Sequence, residues 1–179
     1  MSRASVPYAA AMVALFVAAG VGVAWHAASP TFLRVVIPTS ALESTALSDA
    51  ASATSGGLSV VVTPGAIAFG PLKPGATSAP QEIKVTNTGT LPLRVKLLSS
   101  SFVERTTNAE IPADRFQAFS NPDLSKPVDV SGTRPIPDAI LPGGVASVFV
   151  ELRVPHGSEM WVPAGKYSGS ITITVEAIS

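Results

Sequence analysis

The chain contains no cysteine and only two histidines. Without cysteine there is no disulfide and no thiolate metal site, so the fold rests on its core alone. With His26 and His156 as the only imidazoles, a paired-histidine zinc site of the H-E-x-x-H type cannot be built, and His156-Gly157-Ser158-Glu159 lacks that spacing. His156 follows a strand pattern and reads as a solvated turn residue. Charge is scarce as well: charged residues are 13% of the chain, against roughly 25% in ordinary soluble domains. Lys plus Arg and Asp plus Glu are 12 each, so no excess of positive charge exists to hold nucleic acid by counterion release. Aromatics are 6%, with no basic–aromatic run and no glycine-rich phosphate loop. No G-x-S-x-G occurs. Tyr167-Ser168-Gly169-Ser170 comes nearest, but Ile171 follows and strand alternation accounts for it.

These absences leave little catalytic equipment. Glu104, Glu110, Asp114, Asp123, Asp129 and Asp138 cluster in sequence, and paired carboxylates are the one route to hydrolysis they offer. Calcium binding would need a D-x-D-x-D-G loop, which is missing. They read as solvated loop charges. The expectation is therefore that the chain is not an enzyme, with no catalytic residue, no cofactor and no metal site.

What is present is strand. In Gln81–Leu97, Ile83 and Val85 alternate with Glu82, Lys84 and Thr86, and Leu93, Val95 and Leu97 alternate with Arg94 and Lys96. That is the two-residue period of half-buried strands, written twice. Asn87-Thr88-Gly89 between them supplies turn chemistry. Leu58–Thr63 is a further strand, ended by Pro64-Gly65. Val148, Val150, Leu152 and Val154 share one face of another, and Tyr167, Ile171, Ile173 and Val175 one face of the last. Between Val103 and Leu141 repeated prolines break the period, and a long irregular insertion of this kind is where specificity tends to reside. Within it, Phe116 and Phe119 are candidate partner contacts, together with Trp161 beside the Pro163-Ala164-Gly165 turn. Tyr167 is expected to cap the core and Trp161 to cover its end. Short strands with Pro/Gly turns and no convincing helix point to an all-β, antiparallel, immunoglobulin-like sandwich over 58–179.

The N-terminus differs in kind. From Val6 to Ala28 no side chain carries a formal charge, which is long enough to cross a bilayer as a helix. Residues 1–28 are expected to be one hydrophobic helix, either a secretory signal or a transmembrane anchor. The residues before Ala28 suit cleavage poorly, and Trp25 suits an interfacial anchor. Both readings place the remainder outside the cytoplasm. Residues 29–57 form a β-prone segment and a Ser/Thr/Ala-rich tether. In the segment, Thr31, Phe32, Leu33, Val35, Val36 and Ile37 are strongly β-prone. Such a strand has two destinations: an edge of its own sandwich, or an edge of a neighbouring copy as a donor strand.

The blocks GPLKPGATSAPQEIKVTNTGTLPLRVKL, LPGGVASVFVELRVP and VPAGKYSGSITITV resemble immunoglobulin-like modules of bacterial and archaeal surface proteins. Lys73-Pro74-Gly75, Val85 to Thr90 and the N-terminal layout are also similar to camelysin/TasA-like matrix proteins. That resemblance implies an extracellular filament or biofilm-matrix subunit, some of which assemble by donor-strand exchange. Relatives of camelysin have been classed as metalloproteases, which two histidines do not support here. The layout is similar too to small archaeal proteins with one membrane helix and an outward sandwich that steadies a surface filament. The implied partners are proteins or other copies at the cell surface, and the membrane through residues 6–28. The alternative is an anchored monomeric module that binds an envelope protein or polysaccharide through the 103–141 insertion.

Overall fold

A computed structural model describes residues 12–16, 22–26, 32–41, 50–55, 57–136 and 138–178. The strands are, in chain order, β1 (Met12–Phe16), β2 (Gly22–His26), β3 (Phe32–Ala41), β4 (Ala51–Ser55), β5 (Leu58–Thr63), β6 (Ile67–Ala68), β7 (Gln81–Asn87) and β8 (Leu93–Ser99). Then follow β9 (Phe102–Glu104), β10 (Glu110–Ile111), β11 (Phe116–Phe119), β12 (Pro127–Val128), β13 (Ser131–Pro135), β14 (Val145–Leu152) and β15 (Tyr167–Ala177). One 3-10 turn, Ala113–Arg115, precedes β11.

Two sheets result. One runs β1-β2-β3-β15-β8-β13, with β9 and β10 beside the start of β15 and β6 against β3. The other runs β12-β11-β14-β7-β5-β4. Pairing between named strands is antiparallel except β3 with β6, which is parallel.

The alternation legible in sequence becomes the inside of the sandwich. Val60, Val62, Ile83, Val85, Val148 and Val150 line one sheet, and Val95, Leu97, Ile171, Ile173 and Val175 the other; each is fully buried. Removing one such side chain from water stabilises by roughly 1.5–3 kcal/mol, which explains why a chain without disulfides needs this regularity. At one end the core turns aromatic. Phe69, Phe102 and Phe116 meet with ring centroids 5.9 to 6.4 Å apart.

The opposite end is held by a side chain. Asn87 is fully buried at the end of β7. Its Nδ2 donates to the carbonyls of Leu91 and Ile140, each at 2.9 Å. Its Oδ1 accepts from the Gly89 amide at 3.0 Å. One residue thus closes the β7–β8 turn and ties it to the connection 53 residues away. Gly89 is required there for space: a Cβ would stand 2.5 Å from the Gly57 carbonyl oxygen and 2.6 Å from the Ser59 nitrogen.

Two expectations are corrected by this architecture. The helix expected over the N-terminal hydrophobic run is not formed by the described residues there: Met12–Phe16 and Gly22–His26 are strands, paired Met12 to His26 through Phe16 to Gly22. A run so nearly all apolar carries no clear period to tell helix from strand, and its valines and aromatics favour the strand. The rest of residues 1–28 lies outside the described residues, and among the described residues no helix is long and apolar enough to cross a membrane. The 103–141 region, expected to be irregular, carries the short strands β9 to β13 and the 3-10 turn. The Ser/Thr/Ala-rich stretch ends in β4, an edge strand on β5 with Ala51 and Ala53 buried.

Candidate functional site

The sandwich built by β5 to β15 leaves one flank of β15 to be filled from elsewhere. β8 and β9 cover the other flank, from Tyr167 opposite Glu104 to Ala177 opposite Leu93. The open flank is taken by β3, in register from Phe32 opposite Glu176 to Ala41 opposite Tyr167. Val35 and Ile37 point inward and are fully buried; Val36, between them, is half-buried. β3 also lies parallel to β6 through Thr39–Ile67 and Ser40–Ala68. The β-prone segment of residues 32–37 therefore sits on an edge of its own chain, in a seat that the later strands shape but do not fill. Thr31 lies outside the described residues.

At the start of β15 the seat adjoins a cavity of about 340 Å³. Its walls are Leu72, Pro74, Ile111, Val154, Val162 and Tyr167, with Lys73 the charged residue lining it. Tyr167 is buried, and its hydroxyl donates to the Pro163 carbonyl at 2.9 Å. Burial, with the nearby Glu104 carboxylate, pushes the Tyr167 hydroxyl above its ordinary pKa. Glu104, 5% exposed, accepts from the Thr107 hydroxyl at 2.7 Å and from the amides of Thr107 and Thr106 at 2.5 and 2.9 Å. Those donors, the Thr107 hydroxyl first, hold its carboxyl below the usual range. Gly165 lies so close that a Cβ there would strike Glu104 Cγ. The cavity wall is thus packed tightly from behind.

The three candidate contact residues separate. Trp161 is 72% exposed, immediately before the cavity residue Val162. It does not cover the core end as expected; Tyr167 is buried there, with Leu72 and Val162 packed against the core. Phe119 is half-buried at the end of β11, opposite Pro127 and Phe149. Phe116 is corrected: it is 1% exposed and stacks on Phe102, so it is core. The Phe-Gln-Ala-Phe alternation of β11 held that signal, because Phe116 and Ala118 share the inward face.

The acids do not converge. Among the described residues no group of three or more metal-ligating side chains comes together. Asp129 closes a turn, accepting from the Thr133 hydroxyl at 2.6 Å, the Ser131 amide and hydroxyl at 3.0 Å each, and the Arg134 amide at 2.8 Å. Asp123 does the same for Ser125, through its hydroxyl at 2.8 Å and its amide at 3.1 Å. His156 Nδ1 lies 3.1 Å from the Ser158 hydroxyl in its turn. Among the described residues, Glu159 is shared between Arg115 at 2.9 Å and Arg153 at 3.2 Å.

Fold and site define an all-β protein of antiparallel sheets with a strand from its N-terminal part laid on its last strand. No family model matches the chain, and no curated protein does. Among the solved structures similar to it are these two. One is a PapD-like (ASH) domain of human CEP192, 15% identical, covering 66% of this chain and 72% of that one, with a TM-score of 0.44. The other is a family 123 glycoside hydrolase from Clostridium perfringens, 19% identical, with a TM-score of 0.42. That likeness covers 59% of this chain and 19% of the hydrolase chain, so this chain matches about a fifth of the hydrolase's length. The expectation that the chain is not an enzyme is corrected on that finding and is not carried forward. It rested on absent histidine pairs, an absent nucleophile elbow and the reading of the acids between Glu104 and Asp138 as solvated loop charges. The likeness itself assigns no activity to this chain.

Proposed function

We propose that this chain is an extracytoplasmic β-sandwich that works by protein–protein contact, as a filament or matrix subunit joined by strand addition at the β15 flank. The observation that supports this reading is the seat on β15. A ten-residue strand fills it, and that strand is joined to the next one, β4, through residues 42–50. A strand so connected is replaceable by the same strand of another copy, because strand addition draws its affinity from main-chain hydrogen bonds and its specificity from alternate side chains. Val35 and Ile37 are those side chains here. The similarity of the Lys73-Pro74-Gly75 and Val85–Thr90 blocks to camelysin/TasA-like subunits agrees with it, as does the uncharged run from Val6 to Ala28 for export.

The absence of native cysteine makes the test clean. Val36→Cys with Thr172→Cys sets one pair across the seam, where directly opposed Cβ atoms in antiparallel strands lie about 4.5–5.5 Å apart. Oxidised full-length protein is run on a non-reducing gel, and the same fraction is viewed by negative-stain microscopy. A disulfide ladder with fibres is expected. Intrachain bonds alone at every concentration, with no fibres, would leave the second reading: an anchored monomeric module that binds an envelope protein or polysaccharide. The exposure of Trp161 beside the cavity favours that second reading.

A further inference from the structure

The two ends of the sandwich differ in chemistry. At one end β3 starts, with Phe32 opposite Glu176. There β15 finishes, with Ala177 opposite Leu93, and β14 starts, with Val145 opposite Thr86. Asn87 binds this end together. Its side chain holds the carbonyls of Leu91 and Ile140. The Gly143 amide donates to the Asn87 carbonyl at 2.9 Å, and the Asn87 amide to the Gly144 carbonyl at 2.9 Å. The turns at residues 88–92 and 141–144 are thereby fixed side by side.

Neither turn contains Asp, Glu, Lys or Arg. Leu91, Leu141 and Val145 stand at this end, 39%, 64% and 57% exposed. They are three of the six large hydrophobic side chains exposed among the described residues. The opposite end, where β15 starts at Tyr167 and β14 finishes at Leu152, is charged. Lys73, Arg105, Arg153, Glu159 and Lys166 lie in its connections, beside the exposed Trp161.

The uncharged run of residues 6–28 joins the sandwich at the first end. Its strand β2 pairs with β3 close to the start of that strand, Ala24 opposite Arg34. The chain from Ala28 to Phe32 is four peptide steps, which span at most about 14 Å. Run and turns therefore adjoin.

We infer that this end rests on a lipid bilayer, with Leu91, Leu141 and Val145 at the boundary of headgroups and acyl chains and the charged end pointing away. The inference rests on the export reading with residues 6–28 held by lipid, and adds to it which end of the sandwich the lipid meets. Two observations select lipid as the occupant. The turns lack charge and continue an uncharged apolar run, as a segment at the hydrocarbon boundary does. In addition, Leu141 and Val145 line a depression of about 400 Å³, which fluid acyl chains fill without a matching rigid shape. Asp138 lines the same depression and is exposed. It limits the depth, because a carboxylate does not enter hydrocarbon. Apolar contact carries the attachment, so salt should not release it.

The test reconstitutes the full-length chain into phosphatidylcholine vesicles with brominated acyl chains. Three single-cysteine chains, Leu91→Cys, Leu141→Cys and Ala164→Cys, carry the same fluorophore, and each is floated with the vesicles. Ala164 lies at the charged end, on the cavity wall. Quenching by bromine at the Leu91→Cys and Leu141→Cys positions should exceed that at Ala164→Cys about threefold or more. It should persist in about 1 M salt. Val145→Asp in the Leu141→Cys chain should bring quenching down to the Ala164→Cys level. Each substitution is at an exposed or lining position, and circular dichroism checks that the fold is kept. Flotation with equal quenching at the three positions would overturn the inference and leave the export reading standing. No flotation would overturn both. Release of the quenching by salt would overturn the apolar contact. A Leu141→Cys label shielded from water but untouched by bromine would overturn the inference by putting protein on this end.

Discussion

Asn87→Ala is the sharpest test of what holds the β7–β8 end. The side chain makes three hydrogen bonds, to the Leu91 and Ile140 carbonyls and from the Gly89 amide. Two of the three partners keep a second bond after the change. Ile140 O still accepts from the Leu93 amide at 3.0 Å, and the Gly89 amide still donates to Ser59 O at 3.0 Å. Only the Leu91 carbonyl loses its side-chain partner outright, and its residue is 39% exposed, so water can reach it. The loss is then about three net hydrogen bonds at roughly 1 kcal/mol each, with little further cost for stranded groups, or about 3 kcal/mol in total. At this chain length that lowers the melting temperature by about 10 °C. The assay is urea unfolding of the full-length protein, followed by circular dichroism, with Asn87→Asp beside it. Asp keeps the acceptor for Gly89 but sets an anionic oxygen against two carbonyls, so it should cost more than Ala at pH 7 and recover as its carboxyl protonates. A loss below about 1 kcal/mol for Asn87→Ala would refute the reasoning and show that the backbone bonds around Gly143 and Gly144 suffice.

Three further outcomes follow from the same structure. Gly89→Ala drives a Cβ into two backbone atoms that cannot step aside; it should cost about 3 kcal/mol, the upper end of overpacking, read from the urea midpoint. Ile37→Ala should cost about 2–5 kcal/mol if β3 sits in its seat, and a melting curve that does not move would empty the seat. Asp129 has a carboxyl held well below its ordinary range, by the Thr133 hydroxyl first and then by Ser131 and Arg134. A depressed folded pKa contributes stability above the unfolded value, near 3.8, and that stability is lost as pH falls through the folded pKa. The urea midpoints of wild type and Asp129→Asn should therefore differ at pH 7 and converge in acid; a gap that stays constant with pH would assign the difference to something other than charge.

Local pattern explains which parts were legible. β7, β8, β14 and β15 carry a two-residue apolar period over most of their length, and each emerged where that period lies. The 6–28 run has too few polar residues to set a phase, so its pattern does not separate strand from helix. Phe116 was misjudged because it lies among prolines, where a four-residue strand is too short to stand out. Asn87 was readable as a turn residue, but its bonds to Ile140 depend on a contact 53 residues away. The burial of Glu104 was hidden too: its partners Thr106 and Thr107 are adjacent in sequence, but the tight packing comes from Gly165. The cavity escaped sequence reading entirely, since its walls are drawn from four separate stretches of chain.

The placing of β3 has a consequence for how the protein is born. Phe32 faces Glu176, a separation of 144 residues. A ribosome adds about 5–20 residues each second, so β3 emerges roughly 7–30 s before the strand it rests on. No rearrangement within the nascent chain shortens that interval. Throughout it Val35 and Ile37 have no β15 to cover them, and crowded nascent copies are then the nearest source of one.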